Sequence, residues 1–167
     1  MKLSVRGKSK NLSLAETRFA IKFYIDKLFA NDQDIIPELE LQISYVTMKD
    51  KGCCNVDDDV DIDPREFELE ICYNLSKRQT LRTLAHECVH VYQFATNQLQ
   101  DCTANRIVWN KVSIDMDSVD YWDLPSEIDA FGREEGLYVR YCEHVAEHGL
   151  KFLKPKAKKE LDETSDT

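Results

Sequence analysis

The chain has 167 residues, 43% hydrophobic and 32% charged, the composition of one globular domain with room for a core. Its formal net charge of −9 speaks against a nucleic-acid binder or a protein held on anionic lipid, and no apolar run is long enough to span a bilayer. The start at Met1-Lys2-Leu3-Ser4 lacks the apolar core of a secretory signal, and the six cysteines include no Cys-x-x-Cys pair, so free thiols in a reducing cytoplasm are expected.

Residues 1–12 are short and basic and are expected to be a flexible lead-in. Ser13-Leu14-Ala15-Glu16 has the form of a capping box. Phe19, Ile21, Tyr24, Ile25, Leu28 and Phe29 then give the apolar face of a helix that ends near Asn31-Asp32, a core stripe. Residues 39–47 alternate as a strand, and Lys51-Gly52 marks a turn. The run 57–63 carries Asp57, Asp58, Asp59, Asp61 and Asp63. Asp59, Asp61, Asp63 and Glu70 imitate positions of a calcium-binding loop, but Pro64 replaces the glycine of its sharp turn and no helix follows. A solvated acidic loop is expected, one that would favour basic peptides if it bordered a groove.

Residues 66–73 alternate with period two, which predicts a half-buried strand whose free edge could hold an extended peptide. Ser76-Lys77-Arg78-Gln79 is a second capping box, and Leu81, Leu84, Cys88 and Val91 carry a helix on to about Gln98. Residues 99–120 show few periodic signals and read as an extended connection. Asp123 is the expected N-cap and Pro125 the first-turn residue of a last helix running toward His148. Residues 150–167 are polar and read as a flexible tail. The expected domain covers 13–149, an α+β arrangement of N-terminal helix, small antiparallel sheet and two further helices.

Chemistry concentrates in His86-Glu87-Cys88-Val89-His90, the pattern HExxH. Two histidines four apart on a helix lie on one face and can both reach one Zn²⁺. Glu87, beside the first ligand, can take a proton from a metal-bound water as general base. A catalytic zinc needs a third protein ligand and an open position. The metzincin pattern would place Gly at 93 and His at 96, where this chain has Gln93 and Thr96. Glu127, in the first turn of the last helix, is the third-ligand candidate, a gluzincin-type site, and Ala130 one turn on is small enough to let the two helices approach. Asp129 and Glu134 are the alternatives, one of them suited to accept from a ligand histidine's other N–H. Tyr121, Arg133, Tyr138 and Arg140 are candidate donors to an oxyanion. His144-Val145-Ala146-Glu147-His148 spells the inverted motif HxxEH, but only a polar stretch follows to supply its distant carboxylate, so an exposed pair near a helix end is expected.

The segment Leu84-Ala85-His86-Glu87-Cys88-Val89-His90-Val91-Tyr92-Gln93 and the run 121–136 resemble small phage-type SprT-like, minigluzincin-like metallopeptidases. Trp109-Asn110-Lys111 resembles their "WkG" step, with Lys111 at the glycine position. The resemblance covers residues 13–142 in layout and is specific only in those two runs. Ser126 and Asp129 depart from the family's Trp and Glu, and the third histidine of true SprT-type proteases is missing. It implies a zincin-like fold with His86, His90 and Glu127 on Zn²⁺ and Glu87 as base, hydrolysing a protein or peptide in the cytoplasm, the host's if the chain is phage-encoded. The competing expectation is a non-catalytic zinc-containing binding module. A non-peptide amide is a second rival substrate.

Overall fold

The computed structural model describes residues 1–56, 62–103 and 105–150. Residues 57–61 of the expected acidic loop 57–63, and the tail from 151 onward, lie outside the described residues. The chain does not begin with a flexible lead-in. Strand β1 (Lys2–Arg6) pairs in parallel with β2 (Glu40–Val46), Leu3 opposite Leu41 and Val5 opposite Ile43. The basic residues Lys2 and Arg6 flank a period-two alternation of Leu3 and Val5, and both of these pack onto the core.

Helix α1 (Leu14–Leu28) crosses from β1 to β2. Ser13 caps it by accepting from the Glu16 amide, but the box is not reciprocated. The Glu16 carboxylate instead accepts from Lys77 Nζ at 2.8 Å and Tyr141 Oη at 3.2 Å, tying three helices together. After β2 the chain forms β3 (Gly52–Val56), then β4 (Glu66–Cys72), which inserts between β2 and β3. The order is β1-β2-β4-β3, parallel except for β3, so the sheet is mixed and not the small antiparallel sheet expected. Burying β4 between two partners removes the free edge expected at 66–73; the edge on that side is β3.

Helix α2 (Lys77–Ala95) follows β4 directly. Ser76 and Gln79 form the full capping box. The helix ends three residues before Gln98, because Asn97 takes the left-handed conformation at φ 57°. The Asn97 and Gln98 amides then donate back to Phe94 O and Gln93 O, closing the last turn. The stretch 99–120 is not a plain connection. Strands β5 (Leu99–Thr103), β6 (Arg106–Trp109) and β7 (Val112–Asp115) make a second, antiparallel sheet, followed by short 3-10 turns at Met116–Ser118 and Tyr121–Asp123. Weak periodicity hid these strands because each is at most five residues long and β7 is mostly exposed.

Helix α3 (Pro125–Glu147) packs along α2, with Ala130 fully buried. Its N-cap is Leu124, not Asp123; Pro125 occupies the first turn as expected. The core is continuous, formed by α1, α2 and the inner face of the larger sheet, with Tyr24, Ile43, Leu69, Ile71, Leu84 and Cys88 fully buried. The architecture is α+β, and no helix of the described residues is long and apolar enough to cross a membrane.

Candidate metal centre

The middle of α2 is enclosed by α1, α3 and the strands β3 and β4. His86 is 7% exposed, Glu87 4% and His90 8%, so three ionisable side chains lie within five residues of a buried helix. Burying them is costly unless each is hydrogen-bonded or paired with opposite charge. Helix α3 brings the Glu127 carboxylate to both imidazoles. His86 Nε2 is 3.3 Å from Glu127 Oε2, His90 Nε2 is 3.3 Å from Glu127 Oε1, and the two Nε2 atoms are 3.2 Å apart. The two imidazole nitrogens thus lie side by side, each facing its own oxygen of the one carboxylate. A tetrahedral ion with bonds of 2.0–2.1 Å has ligand–ligand edges of about 3.3–3.4 Å. The group His86, His90 and Glu127 is therefore sized to hold a metal ion.

The far nitrogens support the same assignment. His90 Nδ1 lies 2.9 Å from Gln93 Oε1. The Gln93 amide nitrogen is committed to two acceptors, Ser126 O at 3.0 Å and Asp129 Oδ2 at 2.9 Å, so its oxygen must face the ring. His90 Nδ1 then carries the hydrogen and Nε2 keeps its lone pair for the centre. His86 Nδ1 donates to Glu134 Oε2 at 3.1 Å, which aims His86 Nε2 the same way. Arg82 pairs with both Glu134 and Glu135 and fixes the first of these carboxylates. Of the two alternative third ligands, Glu134 thus contacts His86, and Asp129 acts on His90 through Gln93.

Charge at the centre is arranged for a cation. Burial works to lower the His86 pKa, but the hydrogen bonds to Glu127 and Glu134 outweigh it and push it up to about 9. Burial works to raise Glu127, but its bonds to His86 and His90 hold it well below the usual carboxylate range. Carboxylates that hold a proton on His86 this firmly would also favour a metal cation there. Glu87 is not part of the group of His86, His90 and Glu127. Burial pushes its carboxyl up to about 7, and it points toward β3. A Cβ at Gly52 would lie 2.5 Å from Glu87 Oε1 and 2.6 Å from Thr83 Cγ2, so glycine is what lets the strand pass this close. Sequence reading marked Gly52 only as a turn.

Among the four candidate oxyanion donors, Tyr121 is at the centre, its hydroxyl donating to Glu127 Oε2 at 2.6 Å. The others make their contacts elsewhere: Arg133 with Asp129 and over the Tyr92 ring, Tyr138 under Arg78, and Arg140 with Glu143. The Phe131 ring lies 4.5 Å from the His86 ring. His144 and His148 sit at the far end of α3. His144 packs on Phe19 and Phe23, and His148 bonds to the His144 carbonyl. Among the described residues no third ligand joins that pair.

Sequence reasoning did not assign roles to Gln93, Gly52 or Arg82. The signal for Gln93 and Arg82 was their helical spacing from His90 and His86, three on and four back. The Gly52 signal was the glycine itself. No family model, curated protein or solved structure matches the chain.

Proposed function

We propose that the chain is a zinc-dependent peptidase of the gluzincin type, with a zincin-like fold, His86, His90 and Glu127 as zinc ligands and Glu87 as general base. The observation that carries the reading is the three-residue group His86, His90 and Glu127 with the buried Glu87 carboxyl next to His86 on the same helix. A structural zinc is closed by four protein ligands and has no use for a base, whereas a catalytic zinc keeps three and an open position.

Zinc, when bound, would supply Lewis acidity, which activates water near neutral pH and polarises a carbonyl. Glu87 accepts the proton released by the water and passes it to the leaving amine. Gly52 leaves room for that carboxylate between strand and helix. Of the four candidate donors Tyr121 is the one at the centre; its one hydroxyl hydrogen is given to Glu127, so it would meet negative charge developing on the carbonyl oxygen by turning from that acceptor. The free edge of β3, antiparallel to β4 and lying over α2, is where an extended peptide could be held by main-chain hydrogen bonds.

The test is metal analysis of untagged protein together with peptide-library turnover. Wild type is expected to hold about one zinc and to cleave; His86→Ala/His90→Ala is expected to lose the zinc. Glu87→Gln is expected to keep zinc and lose about 10²–10⁴-fold in rate. Unchanged zinc in the double variant would move the metal elsewhere, and equal turnover by Glu87→Gln at matched zinc would remove Glu87 from the chemistry. Zinc without cleavage by any variant would leave a binding module.

A further inference from the structure

Among the described residues, nine large apolar side chains are exposed, and four of them, Tyr121, Trp122, Ile128 and Phe131, fall between 121 and 131. Such clustering differs from the single exposed apolar residues normal on a protein surface. The rings form a continuous wall. Tyr121 and Trp122 are 5.4 Å apart edge to face, Trp122 and Phe131 5.1 Å apart at 34°, and Phe131 is 4.5 Å from His86. The wall therefore starts on a ring of the metal centre and runs outward to Trp122, which is 66% exposed. Helix geometry fixes its position: Phe131 is one turn beyond Glu127 and just under one turn before Glu134, and both of these carboxylates contact His86.

We propose that Phe131, Trp122 and Ile128 form a subsite for a large aromatic or branched aliphatic side chain immediately beside the bond to be cleaved. The inference rests on the peptidase reading and adds the class of substrate. Whatever covers the wall lies against the metal centre, because Phe131 touches both. A second copy of the chain, or an anionic membrane, would have to approach a molecule of net charge −9, which repels either. A side chain of a substrate held at the centre has neither difficulty. Tyr121 turns its hydroxyl inward to Glu127 and forms the inner rim.

The probes are N-acetyl amino-acid hydroxamates, which chelate zinc and place one side chain next to it. The zinc-loaded full chain carries two tryptophans, so Trp109→Phe leaves Trp122 as the sole tryptophan, excited selectively over the tyrosines. The phenylalanine and leucine hydroxamates are expected to bind roughly 10-fold or more tightly than the alanine one, with a blue shift of Trp122 emission. Phe131→Ala and, read by calorimetry, Ile128→Ala should erase most of that preference while zinc content and alanine-hydroxamate affinity hold. Ile128 is 57% exposed, so its variant tests the wall even if Phe131→Ala fails to fold. Equal affinity for all side chains at full zinc occupancy overturns the subsite and leaves the peptidase reading standing. A stable dimer that buries Trp122 without probe also overturns it. Failure of the chain to hold zinc at His86 and His90 overturns both.

Discussion

His86 and His90 share an aim because each has an acceptor on its far nitrogen, Glu134 for one and Gln93 for the other. Losing such an acceptor typically costs 10–100-fold in metal affinity. Glu134→Gln removes the charge and leaves Arg82 without its partner carboxylate on that side. The expected result is zinc binding weaker by about 10–100-fold with the fold intact, measured by competition with a chromophoric chelator. Wild-type affinity would show that Glu134 only pairs with Arg82. Gly52 works on the other carboxylate. In Gly52→Ala the new Cβ displaces Glu87 Oε1 or the strand itself. Zinc binding should then hold while turnover falls by about 10²-fold, the scale of a misplacement of about 1 Å. Unchanged turnover would mean that β3 yields and Glu87 keeps its place. The histidines, Glu87 and Glu127 were legible in the sequence because helical spacing and a capped helix start set their faces. Gly52 was not, since its role depends on a strand crossing a helix 35 residues later in the chain.

The elements divide by how much of their pattern is local. α2 and α3 were readable because a cap, a proline and a 3.6-residue period all lie within the segment. β1 was missed because charge at Lys2 and Arg6 masked a two-residue apolar alternation, and its partner lies 38 positions on. Beyond its short strands, the second sheet was masked by an unusual residue in its β6–β7 turn. Asn110 and Lys111 have φ 47° and 70°, the doubly left-handed turn that favours Asn-Gly. Asn suits the first position; lysine at the second carries the left-handed penalty of roughly 1–2 kcal/mol. Lys111→Gly removes that strain but gives back some unfolded-chain entropy. A net gain of about 1 kcal/mol is expected, a rise in Tm of about 2–4 °C for a chain of this size. A lower Tm would show that the lysine side chain contributes more than its backbone strain costs.

At the scale of the molecule, the centre joins parts that the sequence keeps far apart. His86 and His90 belong to α2, Glu127 to α3, and the Gly52 strand closes over Glu87. A metal ion bound there links α2 to α3 in the folded state only, so it should stabilise the whole chain by linkage. The stabilisation at a free zinc concentration one hundred times Kd is about 2.7 kcal/mol. Near 167 residues, 1 kcal/mol corresponds to about 2–4 °C, so the melting temperature should rise by about 5–11 °C over the metal-free protein. Zinc binding to cysteine and histidine in the unfolded chain works against this, and with six cysteines the lower end is expected. Scanning calorimetry of chelator-treated protein titrated with zinc measures the rise. His86→Ala/His90→Ala keeps all six cysteines and the His144–His148 pair but lacks the centre. It should melt at a temperature that zinc leaves unchanged or lowers. A zinc-dependent rise of equal size in that variant would place the stabilising metal outside α2 and α3's shared site. A rise confined to the wild type would tie folding to the two histidines of the proposed zinc site.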